Sequence, residues 1–272
     1  MTEQDYASFA RVLRDRCAIV LEPGKEYLLE ARLATVARRH GLNAVADIAG
    51  RLRTAGDNGL ATEVVEAMVT TETSFFRDIH PFDALRKTII PDLVRARQSF
   101  RRLNIWCAAS ASGQEPYTVA LLVKEYFPEF KDWTVTILAT DISRDMLRRS
   151  KEGRYSQVEV NRGLPINLLL KYFRQEGAYW HLRDDIRSMV EFQHLNLAAP
   201  WPPMPAMDLV LLRNVMIYFD VETKKSILRR VARVVKPDGY LVLGGAETTI
   251  GLDDSYRRID ILKAGFYQLT AG

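Results

Sequence analysis

The run Leu209-Val-Leu-Leu-Arg-Asn-Val-Met-Ile-Tyr-Phe219 constrains this chain more than any other segment. It is an apolar strand that stops on Arg213-Asn214 and resumes towards Tyr218. Polar groups at the carboxyl end of a buried strand lie where open α/β sheets bind ligands. Other runs share this grammar. Leu103 to Ala108 is an apolar strand followed by the small-residue loop A-S-A-S-G-Q-E-P. Pro116 then suits the first position of a helix through Tyr126. Thr134 to Thr140 is a strand ending at Asp141, with a helix predicted from Ser143 to Lys151. Asp220 is the expected N-cap of a helix over 221–235. Lys236-Pro237-Asp238-Gly239 ends that helix, and Tyr240 to Leu243 is the next strand. Gly265 to Leu269 reads as a last, edge strand. Strands alternating with helices predict an α/β fold, a doubly wound sheet with helices on both faces.

The first seventy or so residues lack any strand pattern. Tyr6, Phe9, Ala10, Leu13 and Cys17 recur at helical spacing. Further helices are predicted over 25–40, ending at Gly41, and over 47–54 and 60–70. The expected organisation is a helical domain over 1–72, a linker helix region over 73–98 and an α/β domain over 99–272. A chain of 272 residues with 47% hydrophobic content can bury a large core. Cys17 and Cys107 are far apart, which points to reduced thiols. The four histidines lack metal-ligand spacing, so no metal is expected. No apolar run approaches the roughly 20 residues that span a bilayer, and the start M-T-E-Q-D has no signal-peptide pattern. These features predict a cytoplasmic protein without direct membrane insertion. The net charge of +4 is a mild excess. The basic run from Arg86 to Arg102 has only Phe100 interleaved, so it reads as a solvated helix face and not a nucleic-acid surface.

The loop over 109–116 has one glycine, Gly113, and no G-x-G-x-x-G, so a pyrophosphate cradle is not supported. Glu115 would repel an anion and suit a cation; alternatively it is an ordinary acid in a first helical turn. Asp141 is placed to accept hydrogen bonds from ribose hydroxyls, or to cap the next helix. S-adenosylmethionine heads the short list of nucleosides with a positive group and no phosphate.

Five stretches together carry a resemblance. They are Thr71-Glu-Thr-Ser-Phe-Phe-Arg77, Trp106 to Tyr117, Ala139-Thr-Asp-Ile-Ser143, Asn196-Leu197 and Arg213 to Phe219. In order and spacing the chain resembles the CheR family of chemotaxis receptor methyltransferases, which methylate glutamate side chains. The resemblance covers nearly the whole chain. It implies a Rossmann-like class I methyltransferase domain, a small N-terminal all-helical domain and a small antiparallel β insert at about 172–195. It implies S-adenosylmethionine as cofactor, with S-adenosylhomocysteine as product. Thr73 and Arg77 would reach the cofactor, Glu115 its amino group and Asp141 its ribose. Asn196 and Leu197 would flank the adenine, and Arg213 and Asn214 the methionine end. Arg77 would orient the substrate carboxylate, and Tyr218 would donate a hydrogen bond near the reacting centre.

The implied partner is the cytoplasmic helical bundle of membrane chemoreceptors, met by Lys25, Arg32, Arg38 and Arg39. Three departures from the family pattern are visible. Thr71 stands where asparagine is frequent, and Thr35 where arginine is. The stretch Gln175 to Trp180 is shorter than the glycine-rich loop with which some members capture a receptor tail, so little binding to such a tail is expected. Competing classes fit less well. An NAD-dependent oxidoreductase needs the missing glycines. A nucleic-acid amino-methyltransferase would carry prolines after Asn214. A non-catalytic adaptor would be expected to lack Arg77 or Tyr218.

Overall fold

The computed structural model describes residues 1–54 and 57–270. Two compact units emerge. One comprises 1–70 with 196–200 and 218–223; the other comprises 71–195, 201–217 and the chain from 224 onwards.

The first unit is built on four helices: α1 (Glu3–Cys17), α2 (Glu26–Arg39), α3 (Val45–Thr54) and α4 (Asn58–Met68). Thr2 and Asp5 form a reciprocal capping box on α1, which satisfies two otherwise orphaned amides. Gly41, at φ 66°, ends α2 as the sequence suggested. The Leu42 and Gly41 amides donate back to the Ala37 and Arg38 carbonyls at 2.9 and 3.1 Å, closing a Schellman motif. Phe9, Leu13, Leu29, Leu33, Ile48, Leu60 and Val64 are fully buried. Their helical spacing places one apolar stripe per helix in a shared core.

The second unit starts with α5 (His80–Ala84), a widened turn over Leu85–Ile89 and α6 (Ile90–Arg97). The widening lies just before Pro91, whose ring cannot donate to the preceding turn. There follow β1 (Arg102–Ala108), α7 (Gln114–Tyr126), β2 (Thr134–Asp141), α8 (Arg144–Glu152), β3 (Arg154–Ser156), α9 (Gln157–Asn161) and α10 (Ile166–Tyr172). Next come β4 (Phe173–Glu176), β5 (Tyr179–Leu182), α11 (Asp184–Arg187), β6 (Val190–His194) and β7 (Met207–Leu212). The chain finishes with α12 (Val221–Val234), β8 (Val235–Leu243), β9 (Tyr256–Ile261) and β10 (Ala264–Leu269).

Seven strands form the main sheet in the order β6-β2-β1-β7-β8-β10-β9. The first five are parallel, and β10 is antiparallel to both β8 and β9. The winding reverses between β1 and β7, the switch point at which such sheets open a crevice. β7 is buried along its whole length, as a strand covered on both faces must be.

Two expectations about strands are revised. Gly265 to Leu269 is not an edge strand, because β9 pairs outside it. The small antiparallel sheet has the order β3-β5-β4; it recruits Arg154–Ser156, while Val190–His194 joins the main sheet beside β2. The basic run is largely neutralised. Arg86 and Lys87 face Asp83, and Arg95 faces Asp92. Arg97 is buried, with Nε 2.6 Å from Asp208 and Nη2 2.5 Å from Asp238.

Candidate functional site

At the switch point the loop after β1 is held in a contorted path. Ala109 and Ala111 have φ 56° and 48°, a left-handed geometry costing an L-residue roughly 1–2 kcal/mol. Small side chains limit that cost, which explains the composition of this loop. The contortion is fastened from several sides. The Ala111 amide donates to Asp141 Oδ2 at 2.8 Å, and the Ala111 carbonyl accepts from Ser150 Oγ at 3.0 Å. Tyr155 donates to the Ser112 carbonyl at 2.9 Å. Gly113, at φ 91°, caps α7; a Cβ there would lie 3.0 Å from Ser150. The helix starts at Gln114, two residues before Pro116, which is permitted because first-turn amides have no intrahelical partner.

Asp141 fastens this loop and does not cap the next helix. Its second oxygen accepts from the Ser143 amide at 2.8 Å. Ser143 itself caps α8 through the Met146 amide.

The first turn of α7 and the residue after β7 meet in an ion cluster. Arg213 has only 1% of its side chain exposed. It donates to Glu115 Oε2 at 2.6 Å, to Asp78 Oδ2 at 2.7 Å and to the Arg77 carbonyl at 3.0 Å. Its guanidinium lies over the Phe82 ring. Burial pushes the Glu115 carboxyl above its ordinary pKa, with Arg213 opposing the rise. Two buried polar atoms here, Ser110 Oγ and Arg213 Nε, have no hydrogen-bond partner among the described residues.

Asn214 follows with φ 57°. This turn is held by a residue that sequence reasoning missed. Glu247 accepts four backbone amides: Asn214 at 2.7 Å, Val215 at 2.9 Å, Met216 at 2.8 Å and Gly244 at 2.7 Å. A Cβ on Gly244 would come within 2.7 Å of both Asn214 Nδ2 and the Glu247 carboxylate. The available signal was an acid just after the Gly244-Gly245 end of β8. Asp78 was missed as well, although it directly follows Arg77. Arg77 instead donates to the Glu72 carbonyl at 3.0 Å, and its charge also lowers the Glu115 pKa. Thr73 is half-buried and lies just before the turn that carries Arg77.

The remaining predicted residues belong to the helical unit. Asn196 donates to the Arg16 carbonyl at 2.6 Å and accepts from the Ala198 amide, beside a buried Leu197. The Tyr218 carbonyl accepts from the Val20 amide at 3.0 Å. Its half-buried side chain has a hydroxyl without a hydrogen-bond partner among the described residues. Of the basic residues assigned to a partner, Lys25 precedes α2 and Arg38 is exposed. Arg32 donates to the Met68 carbonyl at 2.6 Å, and Arg39 pairs with Glu63 at 2.8 Å.

Comparison with known proteins decides the family. Residues 4–69 match the all-alpha domain of CheR methyltransferase, and residues 71–264 match its SAM binding domain. The chain belongs to the CheR methyltransferase family. It is 36% identical to the chemotaxis protein methyltransferase Cher2 of Pseudomonas putida, covering 97% of each chain. It is 38% identical to chemotaxis protein methyltransferase 1 of Pseudomonas aeruginosa, covering 94% of each. It is 33% identical to the chemotaxis protein methyltransferase of Vibrio anguillarum, covering 99% of this chain and 98% of the relative. This CheR chain is therefore a methyltransferase that uses S-adenosylmethionine. Its strand ends fit that cofactor. Two carboxylates, Glu115 and Asp141, and the unpartnered Ser110 hydroxyl match a ligand bearing an ammonium and hydroxyl groups. Among the described residues no His, Cys, Asp and Glu cluster could hold a metal, and no helix is long and apolar enough to cross a membrane.

Proposed function

We propose that this CheR protein transfers the methyl group of S-adenosylmethionine to glutamate side chains of chemoreceptors, forming methyl esters in chemotaxis adaptation. The observation that carries this reading is the cluster of buried Glu115 and Arg213 with exposed Asp78 at the switch point, in a chain aligned end to end with chemotaxis methyltransferases.

A glutamate side chain, with an ordinary pKa of about 4.3, is ionised at neutral pH and needs no general base. The bound cofactor supplies a methyl group on a positive sulfur, so the accepting carboxylate loses its charge as the ester forms. What remains for the protein is positioning, which can supply roughly 7–11 kcal/mol. Glu115 holds the cofactor's ammonium end, with its own charge balanced by Arg213. Asp141 holds the ribose, Asn196 and Leu197 flank the adenine, and Thr73, Arg77, Arg213 and Asn214 complete the cofactor contacts. Arg77 offers a fork of donors to the two oxygens of the accepting carboxylate. Tyr218 donates a hydrogen bond to that carboxylate; its unpartnered hydroxyl supports the role. Tyr218→Phe is expected to keep cofactor affinity and lower turnover; an unchanged rate would make Tyr218 structural.

The receptor bundle meets the helical unit through Lys25, Arg32, Arg38 and Arg39. Arg38 and Arg39 contribute most, because Arg32 is turned onto Met68. The β4–β5 hairpin turns on Gly177 and Ala178 alone, a short loop that supports weak or no capture of a receptor tail.

The deciding experiment is transfer of tritiated methyl from labelled cofactor to a receptor-containing membrane fraction. Volatile label released by mild base identifies a methyl ester. Base-stable label would point to methylation at nitrogen and overturn the glutamate assignment.

A further inference from the structure

Two strained segments meet at one cavity beside the cluster. The first is the β9–β10 turn. Ile261 pairs with Ala264, leaving a two-residue loop of Leu262 and Lys263, both left-handed at φ 49° and 66°. That backbone is a type I′ turn, which strongly prefers Asn-Gly. This chain instead spends the position on an exposed leucine and a lysine. The second segment is Asp78-Ile79, at φ 70° and 51°. Ile79 is β-branched and 61% exposed, a genuine backbone outlier. Strain of this kind gathers at ligand clamps.

The cavity between them has a volume of about 330 Å3, and its lining includes Asp78, His80, Glu247, Arg258, Lys263 and Tyr267. Its two acids are committed elsewhere. Asp78 binds Arg213, and Glu247 accepts four amides. Of its cations, Arg258 shares its charge with Asp260 at 2.9 Å, while Lys263 has no ion-pair partner among the described residues. The cavity therefore offers an uncommitted ammonium, and the exposed Leu262 and Ile79 adjoin its lining residues Lys263 and Asp78 in the chain. Asp78 and Glu247 connect it directly to Arg213 and Asn214.

We propose that this cavity receives the stretch of the protein substrate next to the accepting glutamate, with a second acidic side chain of the substrate on Lys263 and an apolar neighbour on Leu262 and Ile79. The proposal rests on the glutamyl-substrate reading above. It makes the hairpin tip a specificity element: a turn less stable than its backbone allows, kept for what it presents.

The test uses the full chain with Lys263→Glu and the double change Leu262→Asn/Lys263→Gly. The double change suits the turn, so its unfolding midpoint is expected to rise. S-adenosylhomocysteine affinity should be unchanged in both variants. KM for receptor membranes should rise roughly 3–10-fold in both, and for Lys263→Glu the salt dependence should weaken, as expected when a rim charge is removed. Unchanged KM in both variants, with base-labile ester formed normally, would overturn the docking proposal alone. No base-labile ester from the parent protein would overturn the substrate reading and this proposal with it.

Discussion

Two ion pairs of nearly equal length show how differently the two units use charge. In the helical unit, Arg39 and Glu63 approach to 2.8 Å with 63% and 33% of their side chains exposed. In the α/β unit, Arg213 and Glu115 approach to 2.6 Å with 1% and 11% exposed. Exposed pairs contribute about 0–1 kcal/mol, because water screens them and two flexible side chains must be ordered. Buried pairs must first be stripped of water, so a hydrophobic replacement is frequently as stable or better. Exposed charges such as Arg39 are thus exchangeable at little cost to folding, which suits a surface that selects partners. The α/β unit's buried charges are poor stabilisers, so their presence at the switch point calls for a role in binding.

The largest effect that could break this contrast is on stability. Arg213→Ala strands Glu115 among buried groups, and the expected loss is about 3–5 kcal/mol, read by denaturant unfolding. A loss within the range of an exposed pair would erase the difference between the units. Asp141→Ala is next. Removing a charged acceptor is expected to weaken S-adenosylhomocysteine binding by about 1.5–3 kcal/mol. Because Asp141 also fastens the 109–113 loop, calorimetry should be paired with circular dichroism to confirm folding. Unchanged affinity in a folded protein would remove the ribose assignment.

The contrast also extends to pH. Burial raises the Glu115 pKa, so this carboxyl takes up a proton above the ordinary carboxylate range. Cofactor affinity should then fall as pH drops, beginning above pH 4.5, the ordinary value. The stability sign follows from the same shift: the folded state holds this proton more tightly, so protonation favours folding and ionisation opposes it. Asp5 in the helical unit behaves oppositely. The Thr2 amide, and then Arg53, lower its pKa to about 2. Its contribution is present above the unfolded value of 3.8 and is lost as pH falls towards 2. Acid titration followed by calorimetry and by circular dichroism separates the two. Cofactor affinity that holds to pH 4 would mean that Glu115 does not meet the ammonium.

Sequence reading reached the two units, four of the five parallel strands and most of the cluster, because continuous apolar runs ending on single polar residues mark buried strand ends. It missed β9, since Tyr-Arg-Arg-Ile-Asp-Ile shows one buried side chain and an antiparallel edge needs little else. It missed β3, three residues long, whose place depends on pairing with β5. Glu247 was invisible for a different reason. Its four partners are backbone amides, which leave no mark on side-chain composition. The engagement of Arg32 with Met68 was hidden likewise, because helical periodicity reports which face a residue shares and not what it touches across to α4.

The central claim is that buried charge in the α/β unit serves the cofactor while exposed charge on α2 serves the receptor. Its most direct measurement is the pair of constants, KD for S-adenosylhomocysteine and KM for receptor membranes, in an Arg38→Glu/Arg39→Glu variant. Receptor KM is expected to rise roughly tenfold at low salt and to converge on the parent value at high salt, with KD unchanged. A weakened cofactor KD with an unchanged receptor KM would contradict the account.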